Sequence, residues 1–200
     1  MLISGCVAFG AAAHKIMGPP AVPAKYVPQP QPLVVLVEDY HRSTALTDDE
    51  MISRVIEDQI KARVKAPLVD SAKVRELRMS SGEKFKTLSV ADVGRQVGAA
   101  QVIWVDVIDR NFESLLGGEQ LRGDVAARVK VVDARNGETL WPTDMAEGYP
   151  VSTSMNWGSG NASSEAELKQ RLYRGLGDKI AKLFYKWKPE YEEPEGFNVQ

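Results

Sequence analysis

The sequence predicts an α/β (α+β) fold: a single domain with a mixed central sheet of about five strands, packed helices and a long C-terminal helix. Three observations carry that expectation. Leu33-Val34-Val35-Leu36-Val37 is a continuous apolar run closed by Glu38-Asp39, the pattern of a strand buried on both faces. From Arg122 to Asp133, Val125, Ala127, Val129 and Val131 alternate with Ala126, Arg128 and Lys130, as on an antiparallel strand with one wet face. Capped stretches at helical spacing stand between and after these strands.

Taken in order, Thr47-Asp48-Asp49-Glu50 reads as a capping box, in which the Thr hydroxyl accepts the N3 amide and Glu reaches back. Ile52, Val55, Ile56, Ile60 and Val64 then recur at helical spacing, and Pro67 marks the stop. Leu68-Val69 opens a short strand, Ser71 caps a helical turn, and Ser80-Ser81-Gly82-Glu83-Lys84 reads as a loop. Ser89-Val90-Ala91-Asp92 starts a second helix that Gly98 closes. Gln101 to Asp109 is rich in β-branched residues, hence a strand, and Leu116-Gly117-Gly118 supplies the turn after it. Asn136-Gly137 predicts a type I′ hairpin turn, Glu138–Trp141 the return strand, and Tyr149–Met155 a further edge strand. Ser164-Glu165-Ala166-Glu167 caps the final helix, whose stripe is Leu168, Leu172, Leu176, Ile180, Phe184 and Trp187. Gly175 and Gly177 within it mark close packing against the sheet, or a kink.

Composition agrees with one domain on a leash. Of 200 residues, 44% are hydrophobic and 26% charged, enough for a core and a solvated surface. The net charge of −2 gives no electrostatic case for nucleic acid as a partner. No run approaches the roughly 18 apolar residues of a spanning helix. The division expected is 1–6 a truncated lipoprotein signal, 7–32 a Pro-rich tether, 33–188 the globular domain and 189–200 an acidic, frayed tail.

The leader rests on Cys6, the only cysteine, which follows Leu2-Ile3-Ser4-Gly5. That run resembles the bacterial lipobox, with Cys6 the lipidated residue and the bilayer its partner. Pro19, Pro20, Pro23, Pro28, Pro30 and Pro32 favour an extended spacer, whose removal is expected to leave the domain's stability unchanged.

A family resemblance follows from the helix-to-strand step Val93-Gly94-Arg95-Gln96-Val97-Gly98-Ala99-Ala100-Gln101-Val102-Ile103 and the hairpin Val129-Lys130-Val131-Val132-Asp133-Ala134-Arg135-Asn136-Gly137-Glu138-Thr139-Leu140-Trp141. Both resemble the CsgG/LpoB-like envelope lipoproteins, related in fold to the TolB N-terminal domain. The N-terminal pattern through Val22-Pro23-Ala24-Lys25-Tyr26-Val27-Pro28 is similar to uncharacterised planctomycete lipoproteins. The resemblance implies secretion pores or regulators of peptidoglycan synthases. A pore needs two alternating membrane hairpins, and only Val125–Val131 alternates well. An adaptor or regulator fits better.

Candidate chemistry is sparse. His14 and His41 lack a second ligand at metal spacing, and no cofactor motif appears. Asn156-Trp157-Gly158-Ser159-Gly160-Asn161 is Gly-rich but lacks the spacing and lysine of a P-loop. Trp157, in that polar loop, is the candidate interface residue, whereas Trp104 and Trp187 sit on expected core faces. Three readings stand. The first is a non-enzymatic, lipid-anchored, periplasm-facing adaptor or regulator, at the outer membrane by preference, contacting an envelope protein. The second is a hydrolase or ligand-binding protein with a deep pocket lined by Asp106 or Asp109 at a strand end. The third is a structural or secretion-related lipoprotein self-associating through the edge strand near Tyr149.

Overall fold

A computed structural model describes residues 19–39, 46–115, 120–158 and 165–189. Strand β1 (Leu33–Asp39) leads to helix α1 (Leu46–Lys61), helix α2 (Ala72–Ser81), a 3₁₀ turn (Gly82–Thr87) and helix α3 (Val90–Val97). Strands β2 (Gln101–Leu115), β3 (Gln120–Asp133), β4 (Thr139–Trp141) and β5 (Tyr149–Gly158) follow, then helix α4 (Glu165–Ala181). The sheet is mixed: β1 runs parallel to β2, and every other pairing is antiparallel. β4 and β5 share one edge of β3, β4 beside Val131–Val132 and β5 beside residues 120–129.

The unbroken apolar run of β1 follows from helices on both faces. Leu33, Val35 and Val37 join Ile103, Val105, Val129 and Val131 beneath α1 and α4. Val34 and Leu36 turn the other way, onto Val74, Phe85, Val93 and Val97 of the α2–α3 layer. A strand covered by helices on both faces reads as a continuous apolar run rather than an alternating one. α3 is capped as expected: Ser89 Oγ accepts Asp92 N–H at 3.1 Å, Asp92 accepts Ser89 N–H at 3.1 Å, and Gly98 closes the helix at φ +82°.

Several expectations are corrected. The turn and loop expected over 71–84 are a ten-residue helix and a 3₁₀ turn. Only Val74 and Phe85 are buried there, too few to print a visible periodicity. Ser71 does not cap α2; Asp70 Oδ1 accepts Ala72 N–H at 2.8 Å instead. The Asn136-Gly137 hairpin is not a two-residue turn. Asp133 N–H donates to Glu138 O and Gly137 N–H to Asp133 O, so residues Ala134–Gly137 form the loop. Gly137 supplies the positive φ, +78°. α4 ends at Ala181, short of Phe184 and Trp187. Phe184 is still buried, but Trp187 lies in an extended segment bridged to Val22.

The largest correction concerns the proline-rich stretch. Residues 19–32 form no helix and bend at several points, and they strap the domain rather than float free. Val22 exchanges backbone bonds with Trp187 at 2.8 and 3.1 Å, and Lys25 and Tyr26 N–H both donate to Leu183 O. Gln29 and the buried Gln101 bond reciprocally, amide to backbone, at 3.1 and 3.0 Å. Tyr26 lies beside Trp141, which stacks on Tyr149 and meets Phe184 edge-on. Removing this segment would uncover an aromatic cluster, so stability should fall. The Thr47 side chain, Ser164, the turn at 116–118 and residues 190–200 lie outside the described residues.

The two glycines of α4 face different neighbours, Gly177 against α1 and Gly175 toward β5 of the sheet. A Cβ on Gly177 would stand 2.8 Å from Val55 Cγ1 and 3.3 Å from Ile52 O, whereas one on Gly175 would meet only Thr153 Oγ1 at 3.4 Å. Two alanine substitutions two residues apart should therefore have opposite signs. Gly177→Ala should cost about 1–3 kcal/mol through overpacking. Gly175→Ala should gain about 0.5–1 kcal/mol from helix propensity. Urea midpoints at unchanged m-value check both.

Candidate functional site

The site begins with a fault in strand β2. Alternation is regular to Val107, then the register against β3 shifts between Val107 and Asp109. Such a bulge moves the following residues to the opposite face. Arg110 and Phe112 consequently sit opposite Val125 and Gly123 on the inner face, while Asp109 stays exposed. The sequence carries no distinct signal for this, since Val102-Ile103-Trp104-Val105 are consecutive apolar residues in the regular part of the same strand.

Arg110 then reaches two carboxylates from different elements. Its Nη1 donates to Asp39 Oδ2, at the end of β1, at 2.8 Å, and its Nη2 to Asp49 Oδ1, in the first turn of α1, at 2.7 Å. All three side chains are about a tenth exposed or less, at 7%, 8% and 11%. The guanidinium lies 5.6 Å from the Tyr173 ring centre, and Tyr173 Oη donates to Asp48 at 3.1 Å. One cation thus ties β1, β2, α1 and α4 together. Burial pushes the Asp49 carboxyl up, and the Arg110 hydrogen bond and charge oppose it.

Asp49 also faces a cleft of about 380 Å³ between α1 and α2, along the outer edge of β1. Val35, Val37 and Val74 form its apolar floor, and charged side chains form its walls. Glu50 accepts from Arg75 at 3.1 Å and lies 3.6 Å from Arg54. Arg78 donates to Val37 O at 3.4 Å, with its guanidinium 4.9 Å from the Phe85 ring centre. Met79, 75% exposed, stands at the lip. Glu57 closes the other end: its carboxylate accepts both the backbone N–H and the hydroxyl of Ser71 at 3.1 Å, pinning α1 to the start of α2. Burial pushes the Glu57 carboxyl up to about 7, helped by Asp70 and Asp58 and opposed by the Ser71 bonds. The cleft therefore offers guanidinium donors, carboxylate acceptors and an apolar floor to a polar, extended partner, and it holds a proton near neutral pH.

The pocket that the second reading expects at Asp106 or Asp109 is not this cleft. Asp106 is buried on the opposite sheet face, in register with Glu38 and Arg128, and neither it nor Asp109 lines the cleft. The carboxyls that burial pushes up are instead Asp49 and Glu57, on a helix. Trp157 occupies a β5 position opposite Leu121, not a loop, and its side chain lies outside the described residues, as do Cys6, His14 and His41. Trp104 is partly buried and donates to Glu38 Oε2 at 2.9 Å, and Trp187 packs on the core beneath Lys182. Among the described residues no group of three or more His, Cys, Asp or Glu is placed to hold a metal ion, and no helix is long and apolar enough to cross a membrane.

No protein-family model and no curated protein matches the chain. Solved structures resemble it in outline. Lipoprotein GNA1162 from Neisseria meningitidis is 20% identical, with 76% of this chain and 99% of that one covered and a TM-score of 0.44. A PelC dodecamer from Paraburkholderia phytofirmans is 14% identical, with 86% and 94% covered and a TM-score of 0.42. The LpoB C-terminal domain from Salmonella enterica is 14% identical, with 70% and 90% covered and a TM-score of 0.36.

Two expected outcomes test the site's construction. Arg110→Met leaves Asp39 and Asp49 buried without their counter-charge, and should cost about 3–5 kcal/mol in denaturant unfolding. For Glu57, the folded pKa of about 7 lies above the ordinary 4.5, so the native state keeps a proton that the unfolded chain releases. Stability from this group is full below pH 4.5 and drains as pH rises through about 7. Because Glu57 is partly solvated, the loss should be about 1–2 kcal/mol. Glu57→Gln should flatten that slope, read as urea midpoints across the same pH range.

Proposed function

We propose that this chain is a lipid-anchored protein of the cell envelope that acts by contact with another protein, without chemistry of its own. Acylated Cys6 is the anchor, and the cleft between α1 and α2 is the contact. The observation that carries the reading is the cleft's construction. Its Arg54–Glu50–Arg75 and Glu57–Ser71 groups already satisfy one another over an apolar floor. Such a surface is preorganised for a complementary partner: the apolar floor supplies desolvation, and each wall arginine has more N–H donors than its internal pairs use.

The strap shortens the leash that the sequence suggests. With residues 19–32 held to the domain, the chain from Cys6 to Pro19 spans at most about 45 Å when fully extended. The partner is accordingly a protein at or near the same bilayer. Attachment through several acyl chains on one cysteine is stable, at about 0.8 kcal/mol per buried CH₂.

Expression from the full upstream reading frame should give a lipid-sized mass increment and membrane association, both lost in Cys6→Ser. An unmodified, freely soluble protein would remove the anchor. For the contact, a photo-crosslinking side chain at Met79 should give one discrete adduct in intact envelopes, and the same group at Glu138, in the distant β3–β4 loop, none. Equal labelling from both positions would sink the cleft as the contact.

A further inference from the structure

The geometry points to β5 as a second, separate interface, at which another copy of this chain adds edge to edge about a two-fold axis through Thr153.

The two edges of the sheet are treated differently. At β1, Leu33 N–H donates to Pro67 O, Val69 N–H to Leu33 O, and Arg78 covers the Val37 carbonyl. β5 is ten residues long and, among the described residues, pairs with β3 alone. Exposed edges are ordinarily guarded by charged residues on the strand itself. Tyr149–Gly158 contains no charged residue.

The backbone parity of β5 is fixed by one contact. Lys179 Nζ donates to Ser152 O at 2.8 Å, so that carbonyl points away from β3. Backbone groups alternate along a strand, so those of Pro150, Ser154 and Asn156 also point outward. Pro150 fits, since a proline is tolerated in a strand where its missing N–H faces the open side. On side chains the same alternation leaves Pro150, Ser152, Ser154 and Asn156 exposed, while Tyr149, Val151 and Met155 pack on the core beneath.

An antiparallel partner must keep both alternations. The symmetric register about Thr153 does so: Ser152 falls opposite Ser154, Pro150 opposite Asn156, Val151 opposite Met155, and Tyr149 opposite Trp157. Outward backbone groups meet outward ones, core-side apolar residues continue the core across the axis, and serine meets serine on the wet face. Only Thr153 meets its own equivalent on such an axis, with Ser152 and Ser154 next nearest to theirs, so a charge at these central positions would stand close to its like. The uncharged strand avoids this. That self-complementarity is the reason the occupant is a second copy. Lys179 is then a guard that must release Ser152 before the strands join.

Sedimentation velocity of the full chain carrying Cys6→Ser, from low-micromolar to near-millimolar concentration, tests this. The expected result is a monomer–dimer equilibrium that Ser154→Pro weakens at least about tenfold, through two lost backbone bonds. Lys179→Met, which uncovers the Ser152 carbonyl, should tighten it by about fivefold. Amide exchange on the wild type supplies a readout independent of Ser154→Pro folding: Ser154 and Asn156 should gain protection as concentration rises, and Val151 and Thr153 should not change. A monomer at every concentration overturns the proposal and leaves the edge to another protein's strand. So does a dimer indifferent to both substitutions, or an oligomer larger than two, since β5–β5 pairing uses up the edge.

Discussion

Arg110 sets the constraint from which the other features follow. Buried ion pairs are a weak source of net stability, because desolvation offsets the attraction. What Arg110 imposes is geometric. Its guanidinium meets Asp39 at the end of β1 and Asp49 at the start of α1 only if β2 has switched faces beyond Val107. A register without the bulge would aim Asp109 and Asn111 inward and leave two carboxylates buried against a third acid. The bulge, the parallel β1–β2 pairing and the entry angle of α1 are thereby one choice. Tyr173 extends it to α4, since its ring lies by Arg110 and its hydroxyl bonds Asp48.

The same network shapes the cleft. Asp49 belongs to both, with its carboxyl on Arg110 and its residue on the cleft wall. At the other end, Glu57 holds α2 by its first residues, where Ser71 would ordinarily have capped the helix. Ser71 gives both its N–H and its hydroxyl to Glu57. The groove is therefore bounded at one end by Asp49, held by Arg110 behind it, and at the other by the carboxyl of Glu57. Its floor is the edge of β1, so its depth depends on where α1 begins.

Much of this was legible in the residues. β1, α3 and the alternating face of β3 follow from period and capping alone, because in each the local signal and the tertiary demand agree. The failures share a cause. α2 was hidden because its contacts with the sheet rest on isolated apolar residues, and the strap because prolines specify an extended backbone without saying what it lies against. Its partners, Leu183, Trp187 and Gln101, are distant in sequence. The site was missed for the same reason. Glu57 and Arg110 are ordinary until Ser71, Asp39 and Asp49 arrive from elsewhere; of the two acids near the strand end, Asp106 faces the other side by plain alternation and Asp109 is turned out by the bulge.

The registers also give the domain two ends with different work. The strap, the Trp141 cluster and the segment after α4 gather where β2 starts and β3 finishes. At the opposite end the β2–β3 ribbon runs on past the bulge, and β5 pairs with it to Gly158. Gly123 is what lets α4 support this ribbon closely: a Cβ there would stand 2.2 Å from Leu172 Cδ1, with the Phe112 ring on its other side at 3.2 Å. β5 spans both ends: Tyr149 joins the Trp141 cluster beneath Lys25 of the strap, while the residues from Ser152 onward run beside the ribbon. On the proposed reading, an attachment through the strap would therefore enter at one end of this strand and leave its farther part to the side.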